Sequence, residues 1–194
     1  DSVIYETHVK GMTRQHPDVP TEIRGTYAGM AHPANIAHLQ RLGVTAVEFL
    51  PVQETQNDTN DVDPNSTAGD NYWGYMTLNY FAPDRRYSSD KTPGGPTREW
   101  KAMVKAFHDA GIKVYIDVVY NHTSESGQAP QSVLDRIVPG YYQRLDANGK
   151  VETSTSCDNT ATEHMMMARL MRDSVALWAR AYRIDSFRFD LMGH

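Results

Sequence analysis

Three times along this chain an amphipathic helical segment gives way, after a short break, to an apolar strand, and this repeat constrains the fold more than any other feature. In "PANIAHLQRLG" the spacing puts Ile36, Leu39 and Leu42 on one helical face, Gly43 suits the C-terminal stop, and "VTAVEFLPV" follows as a strand. In the second unit Thr97 is the expected cap of "REWKAMVKAFHDAG", with Trp100, Met103, Val104 and Phe107 as its apolar stripe, ahead of Gly111 and "IKVYIDVVYNH". In the third, Thr160 and Glu163 fit a capping box for a helix whose apolar face carries Met167, Leu170, Met171, Val175, Trp178 and Tyr182. The run Met165 to Met167 reads as core packing on that helix, and "RIDSFRFDLMGH" follows as a strand.

With "SVIYETHVKGM" as an initial strand, the order is β-α-β-α-β-α-β, which calls for a parallel sheet with right-handed crossovers. Such an α/β order suits either a barrel or a doubly wound sheet. In both, the loops after the strand C-termini carry function, and residues 53–96 and 123–159 are long, polar and rich in Gly, Pro, Asn and Ser. A chain of 194 residues is long enough for a substantial core. Its net charge of -5 provides no basic footprint for nucleic acid or an anionic membrane, so neither is an expected partner. No apolar run approaches the ~20 residues of a membrane helix, and the first residues lack a signal-peptide pattern. A lone Cys157 excludes an internal disulfide framework and leaves the compartment undecided.

The chemistry concentrates at two strand ends. Alternation in "FRFD" puts Ser186, Arg188 and Asp190 on one face and Phe187 and Phe189 on the other; in "DVVYNH" it puts Asp117, Val119 and Asn121 together, with His122 at the lip. Charged side chains on inward-facing positions call for partners, so these residues form either a paired structural network or a site.

Those two stretches resemble the first two signature regions of the α-amylase superfamily of glycoside hydrolases. "NYWGYMTLNYFAPDRRYSS" is similar to the segment after the second strand in isoamylases and glycogen-debranching enzymes, and "VPGYYQRLDANGKVETSTSCDNTATEH" is closer to pullulanases and limit dextrinases. The resemblance runs over essentially the whole chain. It implies a (β/α)8 TIM barrel of which residues 1–194 supply the first four strands and three helices, with no N-terminal β-sandwich and no C-terminal half.

The resemblance further implies a retaining hydrolase of α-1,6 branch linkages in glycogen, amylopectin or pullulan. Asp190 matches the nucleophile and Arg188 its positioning partner; a guanidinium beside a carboxylate favours the ionised form a nucleophile needs. His122, Asp117, Asn121 and Tyr75 match residues at and around the sugar preceding the scissile bond, Tyr75 as its stacking platform, and His194 matches a histidine facing the next sugar. Trp73 either contacts sugar or seals the barrel mouth, and Asp117 is either in the site or purely structural. His8 receives no role.

No cofactor is implied for the chemistry. A structural calcium is implied at Glu54, Thr55, Asn57 and Asp84, whose oxygen donors suit that ion; the competing reading is a solvated acidic loop. The family's general acid, a glutamate after the fifth strand, has no counterpart here, so the 194-residue chain alone is expected to be inactive and to need the remainder of the barrel as its partner. Alternatives are another α-amylase-superfamily activity, α-1,4 hydrolysis or transglycosylation, or a noncatalytic carbohydrate-binding half-barrel.

Overall fold

The computed structural model describes residues 1–55, 71–155 and 157–191. Its centre is a parallel sheet of four strands, β1 (Ile4–Thr7), β2 (Ala46–Phe49), β5 (Lys113–Val118) and β8 (Ser186–Phe189), in that spatial order. Between them lie α1 (Val9–Thr13), α2 (Tyr27–Met30), α3 (Pro33–Arg41), the β3 (Gln53–Thr55) and β4 (Thr77–Pro83) hairpin, and α4 (Gly95–Asp109). The third crossover, from β5 to β8, carries a β6 (His122–Thr123) and β7 (Asp158–Asn159) pair, α5 (Leu134–Ile137) and α6 (Met165–Ala181). Spatial order follows chain order with no reversal, as in a barrel; a doubly wound sheet reverses at its switch point.

Register decides what each face carries. Glu6, Glu48, Tyr115 and Ser186 align across the sheet, and one step further along the same face Asp117 aligns with Arg188. The opposite face presents Val47, Phe49, Val114, Ile116, Val118, Phe187 and Phe189. On that apolar face sit the stripes of α4 and α6, with Trp100 meeting Phe49 edge to face at 5.9 Å and Trp178 at 5.5 Å. The sheet therefore has one side sealed by helices and one side lined with polar groups.

Several local expectations are corrected. The first strand stops at Thr7, because the His8 ring caps α1 by accepting the amides of Lys10 and Gly11, and "HVKGM" turns helical. Leu42 is exposed, since it lies at the C-cap of α3 where the chain is leaving the helix. Thr97 lies within the first turn of α4, which starts at Gly95 after a left-handed Gly94, φ 76°. Thr160 and Glu163 make no capping box: α6 begins at Met165, the Thr160 hydroxyl donates to the Tyr120 carbonyl, and Glu163 pairs with Arg144. Of the three methionines, Met167 is buried while Met165 and Met166 face solvent at 79 % and 42 % exposure, because α6 turns only one of three adjacent positions to the core. Among the described residues no helix is long and apolar enough to cross a membrane.

Candidate active site

The polar face of the sheet ends in a compact ion cluster. Asp117 is the penultimate residue of β5 and fully buried, and Arg188 stands beside it on β8. Nη1 of Arg188 donates to both Asp117 oxygens, at 3.0 and 2.8 Å, and to Asp190 Oδ1 at 2.7 Å. The alternation of "FRFD" requires this pairing, since Arg188 and Asp190 lie two residues apart on one face of an extended segment. The Asp190 amide prolongs the sheet by donating to the Val118 carbonyl at 3.0 Å. Leu191, at φ 49°, then takes the left-handed conformation and turns the chain away. Asp190 is thus held at a strand terminus with its carboxylate clamped from behind.

A tyrosine completes the cluster. Tyr75, which returns from the loop after β3, donates its hydroxyl to Asp117 Oδ2 at 2.7 Å. Burial pushes the Asp117 carboxyl up from the ordinary aspartate range, while the Tyr75 hydroxyl and the Arg188 guanidinium pull it down, each donating to an oxygen of its charged form. Burial, followed by the Asp117 bond and charge, raises the Tyr75 phenol, which stays protonated and a donor. Asp117 therefore holds both the Tyr75 hydroxyl and the Arg188 guanidinium.

The other expected residues are placed differently from one another. His122 joins the cluster indirectly, its Nε2 donating to the Tyr75 carbonyl at 2.8 Å. Strand parity does not reach Asn121, since β5 ends at Val118, but its Oδ1 lies 3.2 Å from His122 Nδ1 and accepts from the Thr155 hydroxyl at 3.1 Å, tying the long second loop to the lip. Trp73 is exposed at 61 % and packs edge to face on Tyr72. His194 and Asn57 lie outside the described residues.

The acidic turn is more crowded than its sequence indicates. Asp84, fully buried, is clasped by Arg86 through Nε at 3.1 Å and Nη2 at 2.8 Å, and accepts the Thr55 amide at 3.4 Å. Glu54 accepts the Arg85 amide at 3.0 Å; burial first and the Asp84 charge second push its carboxyl up to about 7. Among the described residues no group of three or more His, Cys, Asp or Glu side chains is arranged to hold a metal ion.

Sequence reading missed Glu48. It shares the polar face with Asp117 and aligns with Glu6, and its carboxyl is raised by burial and then by the charges of Glu6 and Asp117. The signal was present in "AVEFLP", where a single carboxylate interrupts an apolar strand at the parity of the inward face.

Residues 12–144 match the family described as "Alpha amylase, catalytic domain". Over 98 % of its length the chain is 60 % identical to an isoamylase of Flavobacterium sp, covering 26 % of that protein. Over the same share it is 41 % identical to a glycogen debranching enzyme of Serratia proteamaculans, covering 29 % of it. A pullulanase of Paenibacillus barengoltzii, solved in complex with maltohexaose and alpha-cyclodextrin, superposes with a TM-score of 0.88 at 33 % identity, over 99 % of this chain and 31 % of that one. The chain spans about a quarter of the length of the curated relatives it matches.

Proposed function

This chain belongs to the α-amylase catalytic-domain family, and from that premise we propose that it supplies the first half of the barrel of a retaining α-1,6-glucosidase acting on branched α-glucan. The observation that carries the reading is the placement of Arg188 between Asp117 and Asp190 at the C-terminal ends of adjacent parallel strands. That is the end of a barrel where reacting groups gather.

In this reading Asp190 attacks the anomeric carbon as the bond to the leaving sugar oxygen breaks, forming a glycosyl ester that water then hydrolyses. Arg188 keeps the attacking carboxylate aimed, and its own direction is set by Asp117. Tyr75, pinned through its hydroxyl, offers a ring face to the sugar, and aromatic faces plus hydrogen bonds are how neutral sugars are held. The proton for the departing oxygen comes from a carboxylic acid about 5 to 5.5 Å from the nucleophile. Asp117, spent on three donor contacts, is unsuited to that task; the family resemblance assigns it to a glutamate after the fifth strand, in the remainder of the barrel.

The linkage assignment is tested on the protein as its gene encodes it. Incubation with pullulan or branched glycogen is expected to release reducing ends and linear chains while unbranched amylose stays intact. Shortening of amylose at a comparable rate would move the assignment to α-1,4 chemistry.

Glu54, Thr55 and Asp84, with Asn57, are proposed to take a structural calcium ion. The buried carboxylates of Glu54 and Asp84 repel one another, which a cation relieves, and for the ion to bind Arg86 must release at least one oxygen of Asp84. Chelator-treated protein should take up calcium with measurable heat. At calcium about 100-fold above Kd it should gain about 2.7 kcal/mol of stability, read as a rise in Tm. No heat and an unchanged Tm would assign Asp84 to Arg86 alone.

A further inference from the structure

We propose that His8, at the end of β1, is a positioning residue for the aromatic lip Tyr72–Tyr75, holding that lip in place for sugar from the side opposite His122. The proposal rests on the reading that this lip stacks on glucan, and goes beyond it in assigning a residue and a mechanism.

The protonation pattern of His8 follows from its partners. Nδ1 accepts the backbone N–H of Lys10 at 3.0 Å and of Gly11 at 3.1 Å, so it carries no proton. Nε2 therefore bears the hydrogen, and it donates to the Tyr72 carbonyl at 2.6 Å, with the Tyr87 hydroxyl oxygen 3.2 Å from the same nitrogen. One ring thus ties the first turn of α1 to a loop residue 64 positions away. Burial lowers the His8 pKa, which maintains this neutral tautomer.

The ring also sets the plane of its neighbour. His8 stacks on Tyr72 with centroids 3.9 Å apart and planes within 6°, while Tyr87 closes its edge at 5.3 Å. Tyr72 in turn supports Trp73 edge to face at 5.6 Å. Gly11, whose amide the same imidazole accepts, lets the hydroxyl end of the ring come close: a Cβ there would stand 2.5 Å from the Tyr72 hydroxyl oxygen. Tyr72 is thus fixed by a stacked imidazole along its face and by a bare backbone at its hydroxyl end. At the other end of the lip His122 donates to the Tyr75 carbonyl, so two imidazoles grip a four-residue segment by its terminal carbonyls.

Two substitutions separate the two jobs of His8. In His8→Asn the amide oxygen can still cap α1, asparagine being among the best N-cap residues, but the side chain is too short to reach the Tyr72 carbonyl. In His8→Gln the amide nitrogen can reach that carbonyl while the cap is lost. Hydrogen exchange over residues 71–76 and acrylamide quenching of Trp73, both measured without ligand, should rise in His8→Asn and return toward wild type in His8→Gln. KM for branched glucan should rise about five- to tenfold in His8→Asn, the worth of one buried hydrogen bond, with kcat changed less than twofold. Gly11→Ala should reproduce the lip's mobility by displacing Tyr72. An unmoved lip in His8→Asn, with exchange and quenching as in wild type, would overturn the proposal whatever the kinetics. A loosened lip with an unchanged KM in an active enzyme would keep His8 as an anchor of Tyr72 and refute the role in sugar positioning. Absence of glucan turnover and binding even in the wild type would instead refute the functional reading, while the ligand-free measurements still decide whether His8 holds the lip.

Discussion

Replacing Asp190 with asparagine is expected to lower turnover of branched glucan by about 10⁴-fold or more, about 5.4 kcal/mol of lost transition-state stabilisation. The amide is nearly the same shape, so substrate still docks, but it cannot form the glycosyl ester on which a retaining route depends. Stability should change little: Asp190 contributes one contact to Arg188, and Arg188 keeps both oxygens of Asp117 when that contact weakens. The measurement is reducing-end release at saturating substrate, on monodisperse protein as encoded, with near-UV circular dichroism to confirm an unaltered fold. Retention of a tenth of wild-type activity would remove Asp190 from the nucleophile's role, leaving the strand-end cluster as a structural clamp.

Arg188→Met is expected to damage stability and activity together, for a different physical reason. The Asp117 carboxylate is wholly buried, and the substitution leaves it with the Tyr75 hydroxyl as its remaining partner in the cluster. Breaking a buried pair from one side costs about 3–5 kcal/mol, and because the Arg188 side chain is 45 % exposed and partly screened, about 2–3 kcal/mol is the expected loss. The pH dependence carries the proof. Without its cation, Asp117 has a folded-state pKa raised still further above its unfolded value, since burial already raises it in the intact cluster. A carboxyl raised on folding contributes stability that is fully present below the unfolded pKa and is lost as pH rises through the folded one. The deficit of Arg188→Met against wild type should therefore be small in acid and grow toward neutrality, and adding Asp117→Asn should recover much of it. Equal deficits from about pH 4 to about pH 7 would show that lost packing of the arginine stem, not charge, causes the loss. Activity should fall about 10²-fold as well, because the nucleophile loses the group that aims it.

The contrast between the two strand ends shows how far local pattern reaches. On β8 the alternation of Phe187, Arg188, Phe189 and Asp190 is a property of any extended segment, so the shared face of the ion pair could be read from the letters alone. On β5 the same reasoning holds through Asp117 and fails at Asn121, because the strand ends at Val118 and a two-residue period has no meaning beyond it. The stripe of α4 was legible for the same reason as β8, its apolar residues recurring with the helical period. The capping assignments at Thr97 and Thr160 failed because many sites satisfy a capping pattern, and the choice among them falls to whatever tertiary contact a hydroxyl finds first.

What the amino-acid sequence by itself determined is the alternation of the four parallel strands with the three longer helices, the polar and apolar faces of β8 and of β5 through Asp117, and the family motifs at the two strand ends, since all of these are encoded within a few neighbouring residues. What only the tertiary structure decided is which distant groups complete those faces. The Tyr75 hydroxyl reaches Asp117 across 42 residues, His8 reaches Tyr72 across 64, and the Asp84 carboxylate accepts the Thr55 amide across 29. Such pairings follow from burial: a polar group removed from water must find its partner wherever the packed sheet and loops bring one, and sequence distance places no limit on that choice.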